Sequence, residues 1–381
     1  MPLLLFSFLL HAYVGARLIP SLGGWPLAQA LLAGVLLASL LLTPLGLTAR
    51  RFVSQPLSDR VAWTGMLFMG LFSSLIVLTL LRDVALLAGW LMLAAAPAAF
   101  NSAALAGATA AAVPTAAALM SFVGFFNARR TAAVVRVDVP ITGLPMALQG
   151  FAIAQISDVH VGPTIKRGYL QSIVSAVNAL QVDLVAVTGD LVDGTVTELA
   201  HHVAPLAGLT STHGTYFVTG NHEYYSGAQA WIVELQRLGI RVLVNEHVVL
   251  LHGEAQGQKA LLLAGVADYS AGHFDASHRS DPHAAMAGAP STAAVRLLLA
   301  HQPRSALEAA RAGFDLQLSG HTHGGQFWPW NFFVRFQQPF TAGLHRLQNL
   351  WIYTSRGTGY WGPPKRFGAP SEITHLRLVS A

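Results

Sequence analysis

The chain has 381 residues, which is long for a single typical domain, and 53% of them are hydrophobic whereas only 11% are charged. Cysteine is absent from the sequence, which excludes disulfides and thiolate metal sites. The formal net charge of +5 comes mainly from scattered arginines, so no dense basic run predicts a nucleic-acid partner.

The first 127 residues are strongly apolar and contain only these charged side chains: Arg17, Arg50, Arg51, Asp59, Arg60, Arg82 and Asp83. Five apolar stretches follow one another in this region, at residues 2–14, 26–47, 61–81, 84–99 and 103–126. Three of them have the roughly 20 residues that a helix needs to cross a bilayer. The first lacks the basic start and cleavage site of a secretory signal. We predict an all-α transmembrane bundle over residues 1–127 with four or five spans, five being preferred.

The arginines next to the spans give conflicting indications of orientation if there are five spans. Residues 48–60 contain three arginines, and Arg129, Arg130 and Arg136 follow the last apolar stretch. Positively charged segments of membrane proteins tend to stay in the cytoplasm. Four spans would place both segments there, whereas five would not. The side of the membrane on which the remaining chain lies therefore stays open.

Residues 151–194 have the pattern of a strand–helix–strand unit. Its three elements are predicted at residues 151–156, 168–180 and 184–188. Asp158 and His160 follow the first strand, and Asp190 follows the second. Parallel strands joined by a right-handed crossover end at the same edge of a sheet, which is where α/β proteins bind ligands. We therefore expect these three side chains to converge.

Three later apolar runs also end in residues that can bind metal. They are residues 215–219 before Gly220, Asn221, His222 and Glu223, residues 295–300 before His301, and residues 316–319 before Gly320, His321, Thr322 and His323. Each motif alone is weak, because Asp, Asn and Gly are common in caps and turns, and a single histidine after a strand is usually a hydrogen-bonded rim residue. The His-x-His motif is stronger, since alternate strand residues share a face. All five transitions together, in this order, indicate one shared site.

This order of motifs resembles the calcineurin-like metallophosphoesterase superfamily, whose pattern is Asp-x-His, Gly-Asp, Gly-Asn-His-Asp/Glu, His and Gly-His-x-His. The Gly-His-Thr-His-Gly-Gly-Gln form at residues 320–326 is similar to that of the bacterial membrane-associated branch typified by YkuE and YaeI. The general layout also resembles that of transmembrane metallophosphoesterase-domain proteins. The resemblance extends over about residues 151–378. It implies an α/β domain of two packed mixed β-sheets flanked by helices at residues 151–381, with residues 128–150 as a linker leading into it.

The resemblance assigns seven metal ligands by motif position: Asp158, His160 and His323 for one metal, Asn221, His301 and His321 for the other, and Asp190 as the bridge between them. It also implies that His222 is catalytic, either stabilising the phosphoryl transition state or protonating the leaving oxygen. Glu223 would orient His222 or a ligand. Carboxylate, imidazole and amide donors suit Mn²⁺, Fe or Zn²⁺ and do not select among them.

The resemblance implies a membrane-anchored hydrolase with two metals that cleaves a phosphodiester, phosphomonoester or pyrophosphate bond. A lipid-linked substrate is attractive because the anchor confines the enzyme beside it. A non-catalytic metal-binding sensor or scaffold is the alternative, but retired enzymes normally lose a ligand or the catalytic histidine, and this sequence keeps them all. We therefore expect a metal-dependent phosphoesterase in a bacterial-type inner membrane, with a phosphate-ester substrate and no nucleic-acid partner.

Further segments are expected near the site. Residues 267–290 are rich in Asp, His, Ser and Gly, which predicts a long loop. The aromatic stretch at residues 327–336 follows the His-x-His motif and is either a packed flap or a lip at the bilayer interface, where Trp is enriched. Arg356 and Arg366 are candidates for contact with the substrate phosphate, with surface ion pairing as the alternative.

Overall fold

The computed structural model describes residues 2–95, 102–254 and 256–381. The chain forms two compact units. The first, here the helical unit, comprises Met1–Phe126 and Gly362–Phe367. The second, here the α/β unit, comprises Asn127–Trp361 and Gly368–Ala381. A short segment from the C-terminal part of the sequence therefore belongs to the helical unit.

Four long helices make up most of the helical unit: α1 (Pro2–Leu18), α2 (Pro26–Thr48), α3 (Leu57–Ala95) and α4 (Ser102–Arg129). Each overlaps one of the 4 stretches among the described residues that are long and apolar enough to cross a membrane. Of the two span numbers predicted, four is the one that matches the candidate spans found among the described residues.

Two predicted spans, residues 61–81 and 84–99, are joined in the single helix α3, although residues 96–99 of the second lie outside the described residues. The polar joint between them consists of Arg82 and Asp83, which are both compatible with a helix because neither is glycine or proline. The buried guanidinium of Arg82 donates hydrogen bonds to two hydroxyl groups and two backbone carbonyls. The helix continues through the joint because this cation is satisfied inside the protein.

The segment Gly362–Phe367 is held in the helical unit by Lys365, which inserts between α3 and α4. Its buried Nζ donates hydrogen bonds to Gly70 O (2.9 Å), Ser74 Oγ (2.5 Å) and Ser121 Oγ (3.1 Å). These acceptors match the three N–H donors of an ammonium group. The hydrogen-bonded cation thus fixes the segment to the two helices.

The strands described in the α/β unit are β1 (Ala133–Ile141), β2 (Ala152–Ile156), β3 (Leu184–Val187), β4 (Thr215–Phe217), β5 (Arg241–Val242), β6 (Glu246–His252), β7 (Lys259–Gly265), β8 (Val295–Leu299), β9 (Leu316–Ser319), β10 (Gly343–Leu347), β11 (Leu350–Thr354) and β12 (Glu372–Ser380). They form two 6-stranded sheets with the orders β1-β12-β2-β3-β4-β5 and β10-β11-β9-β8-β7-β6. Both sheets are mixed, because β12 is antiparallel to β2 and β6 is antiparallel to β7. Residues 128–150, predicted as a linker, contain β1, which pairs in parallel with β12.

The helices described in this unit are α5 (Arg167–Asn178), α6 (Val196–Val203), α7 (Asn221–Ser226), α8 (Ala228–Arg237), α9 (Pro282–Met286), α10 (Ala306–Ala312) and α11 (Trp330–Phe333). The two sheets pack face to face over a core that includes Ile153, Leu184, Leu263 and Leu318. Apolar residues of α5, α6 and α8 cover the outer face of the first sheet, and those of α9 and α10 cover the second. The predicted fold, an all-α apolar region before a two-sheet α/β domain, is confirmed.

The ends of the strands bring the predicted site residues to one edge. β2 and β3 end in register, with Ile156 opposite Val187, and β8 and β9 do the same, with Leu299 opposite Leu318. The predicted ligands that follow these four strands do so after two to four residues. Their common edge is therefore fixed by strand pairing inside the core.

Candidate metal centre

A left-handed backbone is shared by five of the predicted site residues: Asp158 (φ 53°), His160 (φ 57°), Asp190 (φ 52°), His321 (φ 71°) and His323 (φ 51°). Non-glycine residues rarely adopt positive φ, and they keep it only where the surrounding structure imposes it. The imposing contacts run between the strand ends, because Asp158 N–H donates to Gly189 O (3.0 Å) and His160 N–H donates to Asp190 O (3.1 Å). Each strand end thus holds the other in place.

Asp158, His160 and His323 form the first group of side chains that could hold a metal ion. Nε2 of His160 and Nε2 of His323 are 3.0 Å apart, and Nε2 of His323 lies 3.6 Å from Oδ1 of Asp158. All three residues are buried. Two imidazole nitrogens and a carboxylate that face one point are a suitable donor set for a divalent cation.

Asp190, His301 and His321 form the second such group. Nε2 of His301 lies 3.1 Å from Oδ2 of Asp190 and 3.2 Å from Nδ1 of His321. Nδ1 of His301 is 2.7 Å from the carbonyl oxygen of Thr188, to which it can donate, and this leaves Nε2 available as a ligand. Burial and the neighbouring His301 lower the pKa of His321 to about 3, which keeps it in the neutral form that binds metals.

Asp190 connects the two groups. Its Oδ2 is 3.1 Å from Nε2 of His301 in the second group and 4.0 Å from Nε2 of His160 in the first. Burial alone would raise the pKa of Asp190, but the adjacent His301 lowers it well below its usual value, so the carboxylate is ionised at neutral pH. An ionised carboxylate within reach of both groups is suited to a bridge.

Asn221 supplies a separate indication that the site accepts a cation. Its side-chain oxygen Oδ1 is buried and has no hydrogen-bond partner among the described residues. A buried acceptor without a partner costs about 1–3 kcal/mol, so such atoms call for an explanation. An amide oxygen is a ligand that divalent cations accept, and the predicted ligand role of Asn221 would supply the missing partner.

Glu223 is buried beneath the loops that carry the ligands. Its carboxylate accepts backbone hydrogen bonds from Gly220 (2.6 Å), Asp190 (3.0 Å) and Leu191 (2.8 Å). These bonds tie the loop after β3 to the start of α7. Of the two alternatives for Glu223, its contacts favour the orientation of a ligand, Asp190, over the orientation of His222.

Asp193, which is not among the predicted site residues, contacts both His222 and His160. Its Oδ1 lies 2.6 Å from Nδ1 of His222 and 3.1 Å from Nδ1 of His160, and the three side chains form a third potential metal-binding group. The sequence contains one indication of this role, because Asp193 follows Asp190 by three residues in the same loop. Because Asp193 occupies Nδ1 of His222, Nε2 is the nitrogen left to face a substrate.

The contact changes the acidity of both partners. Burial disfavours the imidazolium form of His222, but the hydrogen bond and charge of Asp193 outweigh it, together with the charge of Asp190, and raise the pKa of His222 to about 9. Burial would likewise raise the pKa of Asp193, but His160 and His222 lower it below its usual range. His222 therefore carries a proton at neutral pH in the metal-free protein.

The aromatic stretch at residues 327–336 is split between the two expected environments. Phe327 is buried, whereas α11 and the residues after it expose Trp330, Phe333 and Phe336. Most of this stretch is thus a surface feature, which the flap interpretation does not predict.

The two arginines that were predicted to contact the substrate phosphate have other surroundings in the structure. Arg356 pairs with Glu372 at 2.6 Å, and Arg366 is fully buried in the segment that belongs to the helical unit.

Comparison with known proteins identifies relatives of the chain. The calcineurin-like phosphoesterase family matches residues 151–325. A "transmembrane protein with metallophosphoesterase domain" from Bos taurus is 41% identical over 271 residues, and its counterpart from Danio rerio is 38% identical over 269 residues. Each alignment covers 69% of this chain and 61% of the relative, so the chain spans about three fifths of their length. The uncharacterized metallophosphoesterase YkuE of Bacillus subtilis is 30% identical over 244 residues, which cover 62% of this chain and 82% of YkuE.

Proposed function

Since the chain belongs to the calcineurin-like metallophosphoesterase family, we propose that it is a membrane-anchored phosphoesterase that works with two divalent metal ions. The observation that carries this proposal is the pair of three-residue groups that converge on Asp190, with the unpartnered oxygen of Asn221 beside His222 in the sequence. The proposed ligands are Asp158, His160, His323, Asn221, His301 and His321, with Asp190 as the bridge. Mn²⁺, Fe and Zn²⁺ all fit this donor set.

The site divides the chemistry between the metals and the chain. Two divalent cations, when bound, stabilise the charge on the phosphoryl group and supply an activated water. The chain holds the ligands in place and positions His222, whose protonated ring can give its Nε2 proton to the leaving oxygen. Asp193 holds the other ring nitrogen at 2.6 Å, which fixes the orientation of the ring and stabilises its charged form. The proposed reaction is hydrolysis of a phosphodiester, phosphomonoester or pyrophosphate bond.

A lipid-linked substrate fits the surface of the α/β unit. Trp330, Phe333 and Phe336 expose 43%, 53% and 76% of their area, and all three follow the ligands His321 and His323 closely in the sequence. Clustered exposed aromatic residues are typical of surfaces that contact membranes. In a chain with four candidate spans, such a surface would let the site act on a molecule that remains in the bilayer.

With four spans, both arginine segments can lie on the same side of the membrane. An even number of crossings places residues 48–60, between α2 and α3, on the same side as the segment that follows α4. Both segments are rich in arginine, so the positive-inside rule predicts that this side is the cytoplasm. We propose that the α/β unit lies on the cytoplasmic face of a bacterial-type inner membrane.

The proposal is tested with the full-length protein in detergent, freed of metal and reloaded with Mn²⁺, Fe²⁺ or Zn²⁺. Bis(p-nitrophenyl) phosphate, p-nitrophenyl phosphate and a lipid-linked pyrophosphate in mixed micelles represent the three bond classes. We expect metal-dependent hydrolysis of at least one substrate, abolished by Asp190→Asn and retained by Asp281→Asn. Asp281 is a matched control because it is exposed and caps α9, a role that asparagine also fills. Stoichiometric metal binding without hydrolysis of any substrate would favour the sensor or scaffold alternative.

A further inference from the structure

Three exposed aromatic residues and His222 form a continuous series of ring contacts. The ring centroid of His222 lies 5.5 Å from that of Trp361 and 5.2 Å from that of Tyr225. The ring centroid of Tyr225 lies in turn 5.6 Å from that of Phe274. These separations are typical of aromatic pairs in contact. Yet Trp361, Tyr225 and Phe274 expose 54%, 61% and 53% of their surface. Trp361, Tyr225 and Phe274 are called the aromatic row below.

Each member of the aromatic row is held by its own element. Trp361 is fixed through its backbone, because its N–H donates to Oε1 of Gln326 (2.8 Å) and its carbonyl accepts from Nε2 of the same side chain (2.8 Å). Tyr225 lies in α7, three residues after His222. The row thus combines Tyr225, which shares α7 with the proposed catalytic histidine, with two residues from distant parts of the chain.

Phe274 belongs to the predicted loop at residues 267–290, and this loop is anchored beside the site. Asp268 is buried and accepts a hydrogen bond from Nε2 of Gln302 (3.1 Å), which is the neighbour of His301 in the sequence. The backbone N–H of Phe274 donates to Ala271 O (2.9 Å) in the first turn after this anchor. The loop therefore holds an aromatic ring at the site by a specific set of hydrogen bonds.

We propose that the aromatic row binds the hydrophobic leaving group of the substrate, an inference that rests on the proposed phosphoesterase function. If His222 protonates the leaving oxygen, that oxygen lies within hydrogen-bond distance of its ring. The first carbon atoms of the leaving group must then reach the rings that contact His222. None of the three side chains of the row carries a charge, so an apolar group gains by covering them and a small polar alcohol does not.

The row is suited to apolar groups of either shape. Its rings are inclined to one another by 73°, 69° and 64°, taken along the sequence of contacts Trp361–His222, His222–Tyr225 and Tyr225–Phe274. None of these pairs of rings is parallel, so none of them forms a flat slot that would accept only a planar group. A planar ring and an aliphatic ring or chain share the relevant chemistry, which is apolar surface next to the leaving oxygen. The experiment distinguishes them.

The test compares methyl, benzyl and cyclohexylmethyl phosphate, each as the monoester and as the symmetric diester, with the metal-loaded full-length protein in detergent. All three release an aliphatic alcohol of similar basicity, so they differ in apolar surface and planarity rather than in chemical reactivity. The variants are Tyr225→Ala, Phe274→Ala and the conservative Tyr225→Phe, which keeps the ring. Leu307→Ala is the control, because Leu307 is an exposed apolar residue of α10 that is not part of the row.

Each alanine variant should reduce kcat/KM for the benzyl and cyclohexylmethyl esters about threefold to tenfold while leaving the methyl esters within about twofold. Leu307→Ala should match the unaltered protein on all substrates, and Tyr225→Phe, which keeps the ring, should retain the preference for ring-bearing esters that Tyr225→Ala loses. A selective loss for benzyl esters would assign planar guests, and an equal loss for both rings would assign apolar guests in general. An equal loss of kcat/KM on methyl and ring-bearing esters would overturn the proposed role of the row and leave the phosphoesterase function standing. Absence of hydrolysis of every ester by the unaltered protein would instead overturn the phosphoesterase function on which it rests.

Discussion

Replacement of Asp193 by asparagine should change how the stability of the metal-free protein depends on pH. The Oδ1 atom of Asp193 lies 2.6 Å from Nδ1 of His222, and the side chain of His222 is only 15% exposed. Asparagine preserves the size of the side chain but removes its charge. The imidazolium form of His222 should therefore lose its nearest stabilising group.

The magnitude follows from the pKa of His222. Burial opposes the charged form, but Asp193 and Asp190 raise the pKa from 6.5 to about 9, which corresponds to about 3 kcal/mol. Because the pKa is raised in the folded state, this stabilisation is complete below pH 6.5 and is lost as the pH rises through 9. In Asp193→Asn we expect the loss over this interval to shrink by about half or more, since the charge of Asp190 remains.

The assay is thermal unfolding of the chelator-treated, full-length protein in detergent between pH 6 and pH 10. The α/β unit has about 250 residues, for which 1 kcal/mol shifts the midpoint by about 2–4 °C. Loss of the His222 stabilisation alone should lower the midpoint of the unaltered protein by about 6–12 °C over the interval, and that of the variant by clearly less. Asp190 also raises the pKa of His301 against the effect of burial, and burial together with Asp190 raises the pKa of Glu223 to about 8. Both residues are unchanged in the variant, so their contributions cancel in the comparison. Parallel curves for the two proteins would refute the assignment of the stabilisation to the Asp193–His222 contact.

Three further predictions concern the metals and the membrane. Asp190→Asn should abolish turnover and lower the metal content toward one ion or none by elemental analysis; normal metal content with near-normal turnover would exclude the bridge. His222→Ala should retain both metals and lose kcat by about 10²–10⁴-fold, and a loss of metal would instead identify His222 as a ligand. Serine at Trp330, Phe333 and Phe336 should remove membrane burial worth about 1.5–3 kcal/mol per fully buried side chain, so hydrolysis of a lipid substrate in vesicles should fall while that of a soluble diester survives. Equal loss on both substrates with a lower midpoint of unfolding would show that these rings stabilise the fold instead.

The fold and the convergence of the metal-binding groups could be predicted because both depend on short stretches of sequence. The strand–helix–strand pattern at residues 151–194 fixes where β2 and β3 end, and their register then places Asp158 and Asp190 at one edge. The His-x-His motif adds its residues in the same way after β9. No long-range packing detail enters this argument, which is why the pattern was sufficient.

The features that the sequence did not reveal depend on contacts between distant segments. Asp193 meets His222 across 29 residues of sequence, and the Trp361 ring meets the same histidine across a much longer separation. The spacing of residues along the chain contains no signal for such pairs. The continuity of α3 was not predicted for another reason. A charged residue such as Arg82 lowers the hydropathy and therefore indicates the end of a span, whereas the hydrogen bonds of its guanidinium within the protein depend on distant residues.

The strained backbone of the site indicates that its geometry is built by the fold before any metal binds. A left-handed conformation costs a non-glycine residue about 1–3 kcal/mol, yet Asp158, His160 and Asp190 all adopt it just after strands whose last four residues are buried. Backbone hydrogen bonds between the two strand ends hold this arrangement, together with the carboxylate of Glu223 beneath them. A cation that enters such a site gains its ligands without ordering them, so the free energy of binding is not reduced by the entropy of organising the loops. The unpartnered oxygen of Asn221 is consistent with the same conclusion, because the fold maintains a costly buried acceptor where a metal ligand is proposed.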